Sequence, residues 1–148
     1  MTAQGQPNSP FNFIQVIIGA LGTSYLNVII FFLAGAAGAS RRIGPNPTDV
    51  VAFDHLLQFT LIPILFFGLV VFLIGRANKG ICKIAQWVGL VIAVASIAFP
   101  IMHAADAATA VGLSLIHIVT GIGWFFSVHY GNKKLHVPSK DVAAMMTP

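Results

Sequence analysis

Five histidines and four aspartates are the groups in this sequence best suited to bind a metal or move a proton, and it contains no glutamate. Asp54 and His55 are adjacent, and His103 precedes Asp106 by three residues, a spacing at which one helical turn can direct both groups onto a single ion or proton. Two such pairs could close around a divalent cation. Scattered His and Asp residues are not a metal motif, however, and solvation with Arg41 and Arg42 as counter-ions accounts for them more simply. Asp54, His55, His103 and Asp106 therefore form a candidate site at which no metal is expected.

His117 differs because it lies inside an apolar stretch, near Ser114. An ionisable group in such a stretch is a functional candidate by default, as a proton relay or a ligand. No carboxylate occurs at its depth to complete a relay, so the stronger expectation is a neutral, buried imidazole. Hydrogen bonds to Asn27, Ser96 or Ser114 would then fix helix register, each contributing about 0.6 to 2 kcal/mol.

The elements that must position these residues are plain from the composition, 57% hydrophobic and 8% charged. Four apolar blocks, 11–39, 50–75, 84–102 and 108–130, reach or approach the roughly 20 residues needed to cross a hydrocarbon core about 30 Å thick. The expected fold is an all-α integral membrane four-helix bundle. A polar cytoplasmic leader at 1–10 should precede it and a cytoplasmic tail at 131–148 should follow. Arg76, Lys79, Lys83, Lys133, Lys134 and Lys140 outnumber Arg41 and Arg42 by six to two, so the positive-inside rule puts both termini in the cytoplasm. That gives an antiparallel up-down topology in the plasma (inner) membrane, with 41–54 and the turn at 103–106 outside. His129 and His136, beside Tyr130, Lys133 and Lys134, fit anchoring at an anionic interface.

Gly44, Pro45 and Pro47 break the first connection, and Thr48 or Asp49 is a reasonable N-cap for the second helix. Ala37-Gly38-Ala39 has the look of a signal cleavage site, but the apolar stretch before it is too long and lacks a leading Lys or Arg. On a helical wheel, small and polar residues gather on one side of each span: Gln15, Gly19, Thr23, Asn27 and Ala34; Gly89, Ala93, Ser96 and Pro100; Ala110, Ser114, His117, Thr120, Gly121 and Trp124. These three seams should face one another, because close packing of small residues holds helices together in lipid. At about 1.5 Å per residue, Asn27, Ser96 and His117 lie near the middle of their spans.

Several functions are excluded or disfavoured. Cys82 is the sole cysteine, which rules out an intrachain disulfide, dithiol exchange and a multi-cysteine zinc site. The basic balance reflects scarce acids, so no nucleic-acid partner follows from it. His103 and His117 are fourteen residues apart, a spacing that resembles membrane cytochromes binding two haems. Pro100 and the Ala104-Ala105-Asp106 turn should put the two histidines on different helices, though, and His117 lacks an axial partner. No cofactor is expected.

Ala95-Ser96-Ile97-Ala98-Phe99-Pro100, Ala107-Ala108-Thr109-Ala110 and Leu115-Ile116-His117-Ile118-Val119 carry a resemblance, over about 50–130, to a family of small bacterial four-helix membrane proteins known only as a domain of unknown function. The resemblance implies four spans and a histidine in the last, matched by His117, but no activity. With no paired carboxylates, cysteine pair or activated nucleophile, the expected role is an accessory or interaction subunit without catalysis. Its expected partners are the lipid bilayer and other membrane proteins or further copies of the chain. The alternatives are a small transporter or ligand-binding bundle, or a haem- or quinone-associated redox subunit.

Overall fold

The computed structural model describes residues 11–75 and 80–132. The proposed leader, most of the tail and the basic residues Arg76, Lys79, Lys133, Lys134 and Lys140 lie outside that range, as does His136. The described residues are helical, with five elements: α1 (Phe13–Ala36), α2 (Phe53–Gly75), α3 (Gly80–Ala95), α4 (Ala98–His103) and α5 (Ala107–Asn132). Taken with α3 and α4 as one segment, Gly80–His103, four helices are long and apolar enough to cross a membrane.

Local chemistry sets the helix ends. Asn12 caps α1, its side chain accepting from the Ile14 amide at 3.0 Å. Gly38 stops the helix by taking a left-handed φ of 91°, while Gly38 N donates to Gly35 O and Ala39 N to Ala34 O. That paired closure is the Schellman motif, and it ends α1 three residues before Ala39, where the apolar block ends. Neither Thr48 nor Asp49 caps α2, which starts at Phe53. Asp49 instead accepts from Asn46 Nδ2 and, through its carbonyl, from Ile43 N, so it closes the connecting loop.

The third span is broken at Ser96-Ile97. Pro100 has no N–H to offer the Ser96 carbonyl, and its ring would crowd that oxygen in a continuous helix. Phe99 N takes the oxygen instead, in a tighter bond at 3.0 Å. His103 and His117 lie on different helices, α4 and α5, divided by the turn at 104–106.

Small residues mark where helices touch. A Cβ on Gly123 or Gly19 of α5 and α1 would collide with Thr23 or Ser127 across the contact, and one on Gly112 would meet Ala34. At one end of this pair Asn12 N donates to Gly131 O at 2.7 Å, and at the other Arg41 N donates to Thr109 Oγ1 at 2.9 Å. On a second edge of α5, Trp124 fits over Gly89, Ala93 abuts Gly121, and Trp124 Nε1 donates to Ala85 O at 2.9 Å. The seams of the first and third spans thus both face α5, on different sides of it, rather than each other. α2 packs on α1 through Gly68 against Val16, and meets α3 where Gly75 approaches Cys82.

The core is in two parts. Phe11, Val16, Ala20, Ile64, Val71, Cys82, Trp124 and Val128 form one cluster, and Phe31, Leu56 and Ile116 form another nearer the α1–α2 connection.

Candidate functional site: a polar layer and a histidine between two cavities

Between the two apolar clusters lies a polar layer contributed by three helices. Asn27 of α1 is completely buried, and its Nδ2 donates to Thr60 Oγ1 of α2 at 3.1 Å and to Thr120 Oγ1 of α5 at 2.9 Å. Both amide hydrogens are used, and Oδ1 has no partner among the described residues. The sequence reading placed Asn27 at this depth but missed Thr60. The available signal was that Thr60 is the last polar residue of α2, followed by an apolar run to Gly75.

A turn away on α5, His117 Nδ1 lies 2.6 Å from Ser96 Oγ. The residues expected to cluster thus separate into two groups, Asn27 with Thr60 and Thr120, and Ser96 with His117, while Ser114 is half-buried on α5. Ser96 sits at the break in the third span, and its hydroxyl donates to Ala93 O at 2.7 Å. With that proton committed, His117 must donate from Nδ1 to the serine oxygen, which makes Nε2 an acceptor. If the serine proton turns to Nδ1, Nε2 carries the hydrogen instead.

His117 lines two cavities. One, of about 770 Å³, lies towards the α1–α2 connection and is bordered by Val51, His55, Phe59, Thr60, Phe99 and Thr120 among others. The second, of about 490 Å³, runs between α2 and α3, where Phe67, Val71, Ile84, Val88 and Trp124 form apolar walls. Phe59, His117 and Thr120 border both.

The four groups expected at the outer rim do not converge. Asp54 is exposed on the first turn of α2, and His55 Nδ1 accepts from Ala52 N at 3.3 Å, inside its own helix start. His103 stacks on Phe99 and donates from Nδ1 to the Phe99 carbonyl at 3.0 Å. Among the described residues no three His, Cys, Asp or Glu groups are placed to hold a metal. Asp106 is engaged in structure. It is the N-cap of α5, accepting from Thr109 N at 2.7 Å and Thr109 Oγ1 at 2.8 Å, and it also accepts from the amide and hydroxyl of Ser40. Hydrogen bonds from Ser40, then Thr109, hold its carboxyl well below the usual carboxylate range. Arg41 lies over the Phe31 ring, 4.1 Å from its centroid, with a left-handed φ of 61°.

Four apolar helices of spanning length, packed through glycines and joined by a buried polar layer, fit a small multi-pass membrane protein. A family of unknown function, DUF6069, matches residues 7–134, and the chain belongs to that family. The match reaches well beyond the 50–130 segment that carried the resemblance and takes in the first span as well. No curated protein and no solved structure matches the chain.

Proposed function

We propose that the chain is an accessory or interaction subunit of a larger membrane protein assembly, without catalysis of its own. On this reading it sits in the plasma (inner) membrane as an antiparallel up-down bundle with both termini cytoplasmic. The observation that carries it is the uneven burial of the spans: the third buries 11% of its apolar window, against 33% for the first and last. Its large side chains, such as Ile84, Val91 and Ile92 at 63% exposure each, are left for another occupant. Helix association in lipid comes from packing rather than from escape from water, so a span with one side held and the rest free suits a partner helix. The meeting of Asn12 with Gly131 and of Arg41 with Thr109 supports the up-down arrangement, and the six-to-two basic count supports the orientation.

A photo-crosslinking residue at Val91 tests the role in cells. The expected result is a discrete protein adduct, with a mass that distinguishes a second copy from another polypeptide; lipid adducts alone would reject the proposal. For orientation, with Cys82 replaced, a cysteine at Asn46 should react with an impermeant reagent in intact cells and one at Ser139 should not.

A ligand-binding bundle is the second reading, favoured by the two cavities that share His117.

A further inference from the structure

We propose that the junction of the two cavities is a seat for a neutral, lipid-soluble quinone, its ring oxygen hydrogen-bonded to His117 Nε2 and its apolar tail lying between α2 and α3. The inference rests on the ligand-binding reading and not on the accessory role, so a failed crosslink at Val91 leaves it standing.

Three observations select this class of ligand. The first is the polarity of the seat. His117 Nδ1 is held by Ser96 at 2.6 Å, and Nε2 makes no hydrogen bond to the described residues. Because the one serine proton can go to Ala93 O or to Nδ1, Nε2 can be either acceptor or donor at no cost in charge. A quinone carbonyl needs a donor and a quinol hydroxyl needs an acceptor. A fixed amide or hydroxyl donor network would favour one form; this pair accommodates both.

The second observation is that the described lining of neither cavity includes a Lys or Arg, and the one carboxylate, Asp49 at the loop end of the 770 Å³ cavity, accepts from Asn46 Nδ2. The lining described for the 490 Å³ cavity includes Ser96, His117, Thr120 and Trp124 as its polar groups, with no Asp, Lys or Arg. A phosphate or carboxylate head would be stranded there without a counter-ion. A neutral head is compatible.

The third is shape. The 770 Å³ cavity has aromatic residues on two helices, Phe59 of α2 and Phe99 of α4, suited to the faces of a flat ring. The second cavity continues from the same histidine as an aliphatic slot bordered by Val71, Ile74, Ile81 and Ile84. Both volumes fall within the usual range for small-molecule sites, about 300–1,000 Å³. Ring pocket, hydrogen-bonding junction and tail slot thus occur in order along one gap.

The test uses the purified full chain in detergent, in a Trp87→Phe background that leaves Trp124 as the one tryptophan. A decyl-substituted benzoquinone should quench Trp124 fluorescence saturably. His117→Leu, which leaves the ring oxygen unpaired, should weaken binding about tenfold, whereas His117→Gln, which keeps a donor and an acceptor, should retain most of it. Phe59 is 75% exposed, so Phe59→Ala should fold normally and weaken binding several-fold. Non-saturating quenching, or equal affinity in His117→Leu and Phe59→Ala, would overturn the proposal. So would displacement of the probe by an equal mole fraction of phosphatidylcholine, which would show the gap to be a general lipid contact.

Discussion

Asn27 Nδ2 donates to Thr120 Oγ1 across 2.9 Å, joining the first and last spans through a completely buried amide and a half-buried hydroxyl. The same amide donates to Thr60, so one side chain ties three helices. Asn27→Ala removes two interhelical bonds and should cost about 1–3 kcal/mol, at about 0.6–1.7 kcal/mol for each. Unfolding by denaturing detergent, followed by circular dichroism, measures it. Thr60→Val, losing one bond and keeping the shape, should cost less than Asn27→Ala.

The contact of Gly123 with Thr23 gives a second prediction. Gly123→Ala places a methyl group inside the Thr23 side chain and should destabilise the α1–α5 pair by about 1–3 kcal/mol, the usual range for overpacking. Adding Thr23→Ala removes the hydroxyl that is struck first, so the double variant should recover part of the loss. Additive losses in that double-mutant cycle would show that the two positions do not touch.

Asp106 predicts a pH dependence. Its folded-state carboxyl lies below its unfolded value, so the ionised form stabilises the fold above the unfolded value of about pH 4, and that contribution declines as pH falls from there towards the folded value. Thermal melts of the wild type between pH 6 and pH 3 should therefore fall more steeply than those of Asp106→Asn. At neutral pH the asparagine variant should be the less stable, having lost the charged cap of α5.

Arg41 offers a test with an internal control. Its left-handed backbone favours glycine, while its guanidinium rests on Phe31. Arg41→Gly loses the ring contact but relieves the backbone; Arg41→Ala loses the contact and keeps the strain. The alanine variant should be the less stable of the two by about 1 kcal/mol.

Much of the fold was legible in the sequence because lipid imposes a length and a polarity that composition reveals directly. The four spans follow from that constraint, and the break in the third span follows from the proline chemistry of Pro100. The pairing of polar groups was less legible. Depth along a helix can be counted, but the face a helix turns to each neighbour depends on which glycines admit which side chains, as Gly123 admits Thr23 and Gly89 admits Trp124. That rotation put Asn27 against Thr60 and Thr120 instead of His117. At the loop end the Ser40 and Thr109 hydroxyls engage Asp106, so a residue suited to metal binding serves as a helix cap. The spacing of His103 and Asp106 carried no trace of those hydroxyl partners.

The arrangement of α2 also has a mechanical consequence. It meets α3 near Gly75 and Cys82, while farther along a gap separates it from α4 and α5. The two arms diverge like calipers, meeting at Gly75 and Cys82 and tied at mid-depth by the bonds of Asn27 to Thr60 and Thr120. Lateral pressure from acyl chains would bear on Phe66, exposed on α2 outside the lining of both cavities. A tightly packed, ordered membrane should therefore narrow the gap and a fluid one widen it, making its width a readout of the surrounding lipid.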